Sequence, residues 1–214
     1  MFGKIDPGTA LITFFGFLVA LTMHEAAHAF MAKFLGDRSS ETAARATLNP
    51  LPHIDVFGTI IFPALMLFSG TNLLFGWAKP TQFDARYFKK PKRDFNLATL
   101  AGPGCNFLIA LLCGIAMRTL GFNQVDLLAG HEPIPRLLSA TATANIVIGI
   151  FNFIPFPNSD GWKVMLNVVH YNTARKLQEL ATPISIVVLM LLIFGVFTPV
   201  FSTILGLFYG LVLA

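Results

Sequence analysis

Long stretches without a charged side chain divide this sequence and limit the folds open to it. The stretches that contain no Asp, Glu, Lys or Arg are 56–78, 95–117, 137–159 and 180–214, and residues 7–32 contain one, Glu25. About 20 apolar residues cross a bilayer as a helix. Only 12% of the residues are charged, against about 25% in soluble proteins, which leaves too little polar sequence to cover five apolar stretches. The sequence therefore predicts a polytopic membrane protein.

The apolar stretches are predicted to be helical, because only helices and closed barrels satisfy their backbone hydrogen bonds in lipid. Barrel strands alternate apolar and polar residues, and these stretches do not. We therefore predict an all-α fold with about five to six transmembrane helices in one domain, 1–214. Pro155 and Pro157 predict a broken helix near 152–161, since proline removes a backbone donor. The apolar tail, about 180–214, is predicted to form a membrane hairpin.

The most informative short pattern is the run His24-Glu25-Ala26-Ala27-His28. Residues four apart share one face of a helix, so two imidazoles there can hold one zinc ion and Glu25 can lie beside an activated water. The run lies in an apolar stretch, where each ionisable group costs about 3 kcal/mol on insertion scales. The structural alternative is a pair of histidines that caps a span at the interface, with Glu25 in water.

Two histidines leave zinc one protein ligand short of the usual set, and Asp160 is the predicted third ligand. It ends an apolar stretch directly after the two prolines, where broken backbone is tolerated if it lines a cavity. Taken alone, Asp160 followed by glycine is a helix start or a turn. Together with the two histidines it predicts a metal site.

The predicted ligands limit the topology, because they must lie at one membrane depth. The histidines lie near the end of the first span and Asp160 ends the stretch 137–159, so both segments must exit on the same side. The stretch 95–117 must then cross once in the opposite direction. The stretch 56–78 is left without a net crossing, and we predict that it is re-entrant.

The distribution of basic residues agrees with that topology. It places 12 of the 15 Lys and Arg residues on the ligand side and 3 on the other. Basic loops stay in the cytoplasm, so the sequence predicts a multi-pass protein of the cell membrane with its site near the cytoplasmic face. His53 and Asp55, which precede the re-entrant stretch, are predicted to lie at the interface or to cap that stretch, and the alternative is a pair that supports the metal ligands or gates the site.

Four further runs accompany the HEAAH run: 49–59 (NPLPHIDVFGT), 76–80 (GWAKP), 101–106 (AGPGCN) and 152–161 (NFIPFPNSDG). With these motifs the chain resembles, over roughly 9–172, the site-2 protease family of intramembrane zinc metalloproteases. Within that family it is similar to the compact prokaryotic subgroup without PDZ or CBS domains. Ser159 stands where the family usually has Leu, and Asn158 and Trp162 are also atypical.

The resemblance implies a function and assigns roles to individual residues. It implies a catalytic core over about 9–172 and one Zn²⁺ ion per chain, held by His24, His28 and Asp160. Glu25 matches the catalytic Glu, and Asn152 matches an Asn that binds substrate or stabilises the oxyanion. The implied activity is hydrolysis of a peptide bond in or near a transmembrane segment of a protein or peptide substrate in the lipid bilayer.

Other classes of function fit the sequence less well. The net charge of +4 does not indicate nucleic-acid binding, because the basic residues are spaced along loops between apolar stretches. A membrane protein that binds or transports metal would not need a Glu directly after the first His of the pair. An inactive homologue acting as a scaffold is a third interpretation, but no expected chemical group is missing. The sequence leaves the oligomeric state open.

Overall fold

Helices account for all the regular secondary structure in the part of the chain that the structure describes. The structure is a computed structural model, and it describes residues 6–68, 76–122 and 132–213. The all-α prediction is confirmed for these residues. The α-helices in chain order are α1 (Pro7–Leu35), α2 (Ser40–Arg45), α3 (Phe62–Phe68), α4 (Pro91–Thr119), α5 (Pro133–Phe153), α6 (Asp160–Val168), α7 (Tyr171–Glu179), α8 (Ala181–Ile193) and α9 (Thr198–Val212).

Three of these helices, α1, α4 and α5, are long and apolar enough to cross a membrane. The first two have 29 residues each and the third has 21, against the roughly 20 that a bilayer requires. Helices α8 and α9 have only 13 and 15 residues. The total of five to six spans therefore remains a prediction.

The ends of α1 follow from its sequence. The side chain of Asp6 accepts a hydrogen bond from the backbone N–H of Thr9 (3.0 Å), and Pro7 occupies the first turn, where its missing N–H costs nothing. At the other end Gly36 has a φ of 112°, the left-handed conformation that closes a helix and that glycine adopts without a steric penalty.

The core consists of α1, α4 and α5, which all pack against one another. Arg136 at the start of α5 pairs with Asp6 before α1, and further along both helices Gly16 lies against Ala140, so α1 and α5 run parallel. Helix α4 runs antiparallel to α1, because the partners of successive α1 residues lie progressively earlier in α4. Helix α1 therefore ends, and α4 begins, at the same end of the bundle, which is the relation that the topology argument requires.

The stretch 56–78 begins with one wide helical turn, Val56–Ile61, that leads into α3. Its two described ends meet, because the N–H of Trp77 donates to the carbonyl of Gly58 (3.1 Å) and the hydroxyl of Thr59 donates to the carbonyl of Trp77 (2.8 Å). Residues 69–75 of this stretch lie outside the described residues, and re-entry into a membrane remains a prediction. Asp55 caps the first turn by accepting from the N–H of Gly58 (2.6 Å).

Helical structure is interrupted at the two prolines, as the sequence predicts. Helix α5 ends at Phe153 and the chain resumes helical structure in α6, after an interruption that contains Pro155 and Pro157. The tail holds α8 and α9 in the range predicted as a hairpin. A guanidinium N–H of Arg118 donates to the carbonyl of Leu211 (3.4 Å), which places the end of α9 beside the end of α4.

Candidate metal centre

The helix α1 carries His24 and His28 on one buried face, as their spacing predicts. Each is 3% exposed, and their Nε2 atoms lie 3.1 Å apart. Asp160 lies at the start of α6 and is 2% exposed. Its Oδ2 atom is 3.0 Å from Nε2 of His24 and 3.1 Å from Nε2 of His28. Three potential ligand atoms from two distant parts of the chain therefore form a nearly equilateral triangle.

The dimensions of this triangle suit zinc. The ligand atoms of a tetrahedral zinc site lie about 2.0–2.2 Å from the ion and therefore about 3.4 Å from one another. The observed separations are only a few tenths of an ångström shorter, so a small outward movement admits the ion and leaves a fourth position for water or substrate. Two imidazoles and one carboxylate are also a donor set that catalytic zinc sites use.

Hydrogen bonds to the far side of each imidazole fix which nitrogen faces the triangle. Nδ1 of His28 donates to the backbone carbonyl of Ala98 (2.8 Å). Nδ1 of His24 contacts Oδ1 of Asn106 (2.6 Å), and the amide nitrogen of Asn106 donates to the carbonyl of Ala20 and to Oδ1 of Asn145. Oδ1 of Asn106 must then be the acceptor, so both histidines donate through Nδ1, and each imidazole in its neutral form presents a lone pair at Nε2.

The resulting arrangement leaves a buried acceptor without a donor. Oδ2 of Asp160 has no hydrogen-bond partner among the described residues, although both Nε2 atoms are close to it. Three lone pairs that converge in a buried space repel one another unless a cation lies between them. The residues present therefore fit a metal ion.

Asp160 is held in place by the local structure of the α5–α6 connection. The Ser159 hydroxyl donates to the carbonyl of Ile154 (2.7 Å) and accepts from the N–H of Trp162 (3.1 Å), so it caps α6. This explains how the serine at the atypical position serves the site. Lys163, one turn into α6, donates to Oδ1 of Asp160 (2.9 Å), which leaves Oδ2 to face the imidazoles.

Gly102 lies against the two histidines at the closest approach of α4 to α1. A Cβ added there would overlap Nε2 of His28 and would lie 2.8 Å from Cε1 of His24. The absence of a side chain at Gly102 is therefore a condition for the triangle to exist. Two residues further along the same helix, a Cβ on Gly104 would meet nothing within 4 Å.

Glu25 also lies at this centre. One ligand atom from each of His24, Glu25 and His28 falls within 4.8 Å of the others. The Oε2 atom of Glu25 accepts from the backbone N–H of Thr81 (2.6 Å), and the Thr81 hydroxyl donates to the Glu25 carbonyl (3.2 Å). Thr81, in the segment that follows Trp77, is therefore hydrogen-bonded to both the side chain and the backbone of Glu25.

The structure brings together four of the five residues predicted for the site. For Asn152 it places the amide nitrogen 3.0 Å from the carbonyl of Ile148, one turn earlier in α5. Sequence reasoning missed Asn145, Thr81 and Lys163. An asparagine in a charge-free stretch was a usable indication for Asn145, whereas Thr81 contributes a backbone N–H, which no sequence pattern marks.

Comparison with known proteins identifies similar chains. YwhC of Bacillus subtilis (strain 168) is 33% identical over 163 residues, which are 76% of this chain and 71% of YwhC. Rip2 of Mycolicibacterium smegmatis is 26% identical over 170 residues, 79% of this chain and 62% of Rip2. Rip2 of Mycobacterium tuberculosis (strain H37Rv) is 27% identical over 205 residues, 96% of this chain and 73% of Rip2.

The names of YwhC and Rip2 assign both provisionally as zinc metalloproteases. No family model matches the sequence, and no solved structure gives a significant match. The level of identity to YwhC, together with a buried HExxH helix that meets a carboxylate, leads to one conclusion: the chain belongs to the zinc metalloprotease family that includes YwhC and Rip2.

Proposed function

We propose that this chain is an intramembrane zinc metalloprotease of the compact site-2 protease type, which hydrolyses a peptide bond in or near a transmembrane segment of another protein. The observation that carries the proposal is the meeting of Nε2 of His24, Nε2 of His28 and Oδ2 of Asp160 at separations of 3.0 to 3.1 Å. These three side chains would hold one zinc ion. Bound there, zinc would act as a Lewis acid that activates water and polarises the scissile carbonyl.

Glu25 is proposed as the general base. It would take a proton from the attacking water and pass it to the leaving amine. The N–H of Thr81 holds one carboxylate oxygen of Glu25, and the other oxygen is proposed to accept the proton. Because Glu25 is only 8% exposed, the proton transfer takes place away from bulk solvent.

The substrate would be a transmembrane segment that unwinds locally, since an intact helix hides its peptide bonds. Asn152 is proposed to donate to the oxyanion that develops on the scissile carbonyl, a contact worth about 2.7–4 kcal/mol in other enzymes. In this structure one amide N–H of Asn152 donates to the carbonyl of Ile148, and the second N–H is the donor proposed for the oxyanion.

The proposed orientation in the cell membrane places the metal centre near the cytoplasmic face, in a multi-pass protein. The antiparallel packing of α1 against α4 supports it, because the connection between them then starts and ends on one side. Pairing between Gly58 and Trp77 supports the proposed re-entry of 56–78 in the same way. The charge distribution supports the cytoplasmic assignment, with 12 of 15 basic residues on the side of the metal centre.

The decisive experiment measures zinc content and cleavage of a transmembrane peptide together, in the wild type and in Asp160→Ala. Glu179→Gln is the matched control, because it removes a carboxylate from the exposed face of α7. We expect about one zinc per chain in the wild type and the control, and loss of both zinc and cleavage in Asp160→Ala.

Two outcomes would contradict the proposal. Unchanged zinc in Asp160→Ala would mean that the carboxylate is not a ligand. Zinc without cleavage in the wild type, across a panel of transmembrane peptides, would favour a scaffold or a metal carrier over a protease.

A further inference from the structure

A cavity of about 680 Å³ opens where α1 ends and α4 begins, on the outer surface of the bundle. Its size is that of a ligand pocket. Four basic side chains and two carboxylates line it: Lys33, Arg38, Lys89, Arg93, Asp37 and Asp94. The basic side chains are exposed, whereas Asp37 and Asp94 are 2% and 1% exposed.

The carboxylate of Asp37 is fully occupied by protein donors. It accepts from the N–H of Ser39 (2.8 Å), the hydroxyl of Thr42 (2.7 Å) and the N–H of Asp84 (2.8 Å). Burial opposes its ionisation, but these donors outweigh burial and lower the pKa of Asp37. This carboxylate is therefore ionised and stabilises the loop, and its single charge offsets only one of the four basic side chains that line the cavity.

Asp94 is occupied in the same way. It accepts from the N–H of Lys90 (2.9 Å) and pairs with the guanidinium of Arg93 (2.7 Å). Lys33, Arg38 and Lys89 are left without a carboxylate partner among the described residues. With Asp94 and Arg93 paired, the lining keeps three further cations against the single charge of Asp37, and this excess of positive charge favours a phosphate group.

A second cavity of about 790 Å³ adjoins the first and has the opposite character. It is a groove between α1 and α4 with walls of Ala27, Phe30, Ala101, Gly104 and Leu108, among others. Lys33 and Phe34 line both cavities, so the basic cavity and the apolar groove are neighbours at the end of α1.

We propose that the two cavities together bind one anionic phospholipid, with its phosphate headgroup among Lys33, Arg38 and Lys89 and an acyl chain in the groove. Cations at the end of a membrane helix and an apolar channel leading toward the membrane interior match the two halves of such a lipid. A free phosphate would leave the apolar groove unfilled, and an apolar protein segment would leave the three cations without an anion. The proposal depends on membrane embedding of α1 and α4 and is independent of proteolysis.

The headgroup half is tested on the full chain in phosphatidylcholine nanodiscs that contain spin-labelled phosphatidylglycerol. The immobilised fraction, measured by electron paramagnetic resonance, gives the preference for the anionic lipid over spin-labelled phosphatidylcholine. We expect Arg38→Gln with Lys89→Gln to lower this preference roughly tenfold. The control, Arg175→Gln with Lys176→Gln, removes the same charge from exposed α7 and is expected to keep it. Equal loss in both variants, or no loss in either, would overturn the site.

The groove half is tested with Gly104→Leu, which extends an apolar side chain from a groove position where a Cβ meets nothing within 4 Å. Gly210→Leu is the matched control, because Gly210 is equally open. We expect Gly104→Leu to lower phosphatidylglycerol immobilisation severalfold and Gly210→Leu to leave it unchanged.

Two results would assign the cavities to another occupant and overturn the proposal. Displacement of the lipid label by millimolar inorganic phosphate would indicate a phosphate site that does not use the groove. Reduced cleavage of a transmembrane peptide in Gly104→Leu, with lipid immobilisation unchanged, would indicate that the groove receives the substrate segment.

Discussion

The helices around the metal centre and the two C-terminal helices are all apolar, but they differ in how far their side chains are buried. In the bundle of α1, α4 and α5, Asn106 and Asn145 are completely buried and hydrogen-bonded to each other (2.8 Å). In α8 and α9 no residue whose side chain is described is buried, and large apolar side chains such as Leu189 and Leu207 are more than half exposed.

The difference shows where a membrane protein can place polar chemistry. A polar group in an apolar medium is costly unless it is paired, so the asparagines and the ligand residues require helices on every side. Helices α8 and α9 carry few groups that need such partners. We infer that their exposed faces contact lipid, and that substitutions in the two regions will differ in consequence.

The largest expected effect is that of Glu25→Gln on cleavage. The amide cannot accept the proton from water, so cleavage should fall roughly 10²- to 10⁴-fold. Zinc content should remain that of the wild type, because the two imidazoles and Asp160 are unchanged. Single-turnover cleavage of a transmembrane peptide beside elemental analysis checks both, and cleavage at the wild-type rate would remove Glu25 from the mechanism.

Gly102→Ala should be next in size. The new methyl group would overlap Nε2 of His28, and displacement of a catalytic group by about 1 Å can cost roughly 100-fold in rate. Gly104→Ala, two residues on in the same helix, is the control and should be nearly silent because the space around it is open. Equal activity of the two variants would mean that the close approach of α4 to α1 is unimportant.

Asn106→Leu should weaken zinc binding by about 10- to 100-fold, as loss of a ligand's outer hydrogen-bond partner typically does. The leucine removes the acceptor that keeps the His24 proton on Nδ1. Competition with a zinc chelator of known affinity measures the change. Asn167→Leu, which alters an asparagine between α6 and α4, should not affect zinc affinity, and a similar loss there would point to general destabilisation.

The smallest effect is expected in the C-terminal helices. Leu189→Ala should change the free energy of unfolding by less than about 0.5 kcal/mol, because Leu189 is 51% exposed. Leu21→Ala, at a site only 6% exposed in the core, should cost about 2–5 kcal/mol. Reversible unfolding in mixed micelles compares the two, and equal losses would show that α8 packs as the core helices do.

Much of this architecture is readable from local sequence patterns. The spacing of His24 and His28 places them on one helix face whatever surrounds the helix, because the period of 3.6 residues is a property of the backbone. The apolar stretches predicted α1, α4 and α5, and the two prolines predicted the break before α6. The need for Asp160 to meet the histidines also predicted that α1 and α5 run parallel.

Contacts between distant segments could not be read in that way. Nothing local in the sequence distinguishes the Ala98 carbonyl or the Thr81 N–H from other backbone groups, yet they hold His28 and Glu25. Likewise, only the crossing of α4 over α1 decides that Gly102, and not Gly104, faces the imidazoles. The sequence by itself determined the long helices and the types of residue that meet at the centre. The tertiary structure decided which groups support them, because those contacts exist only once three helices pack together.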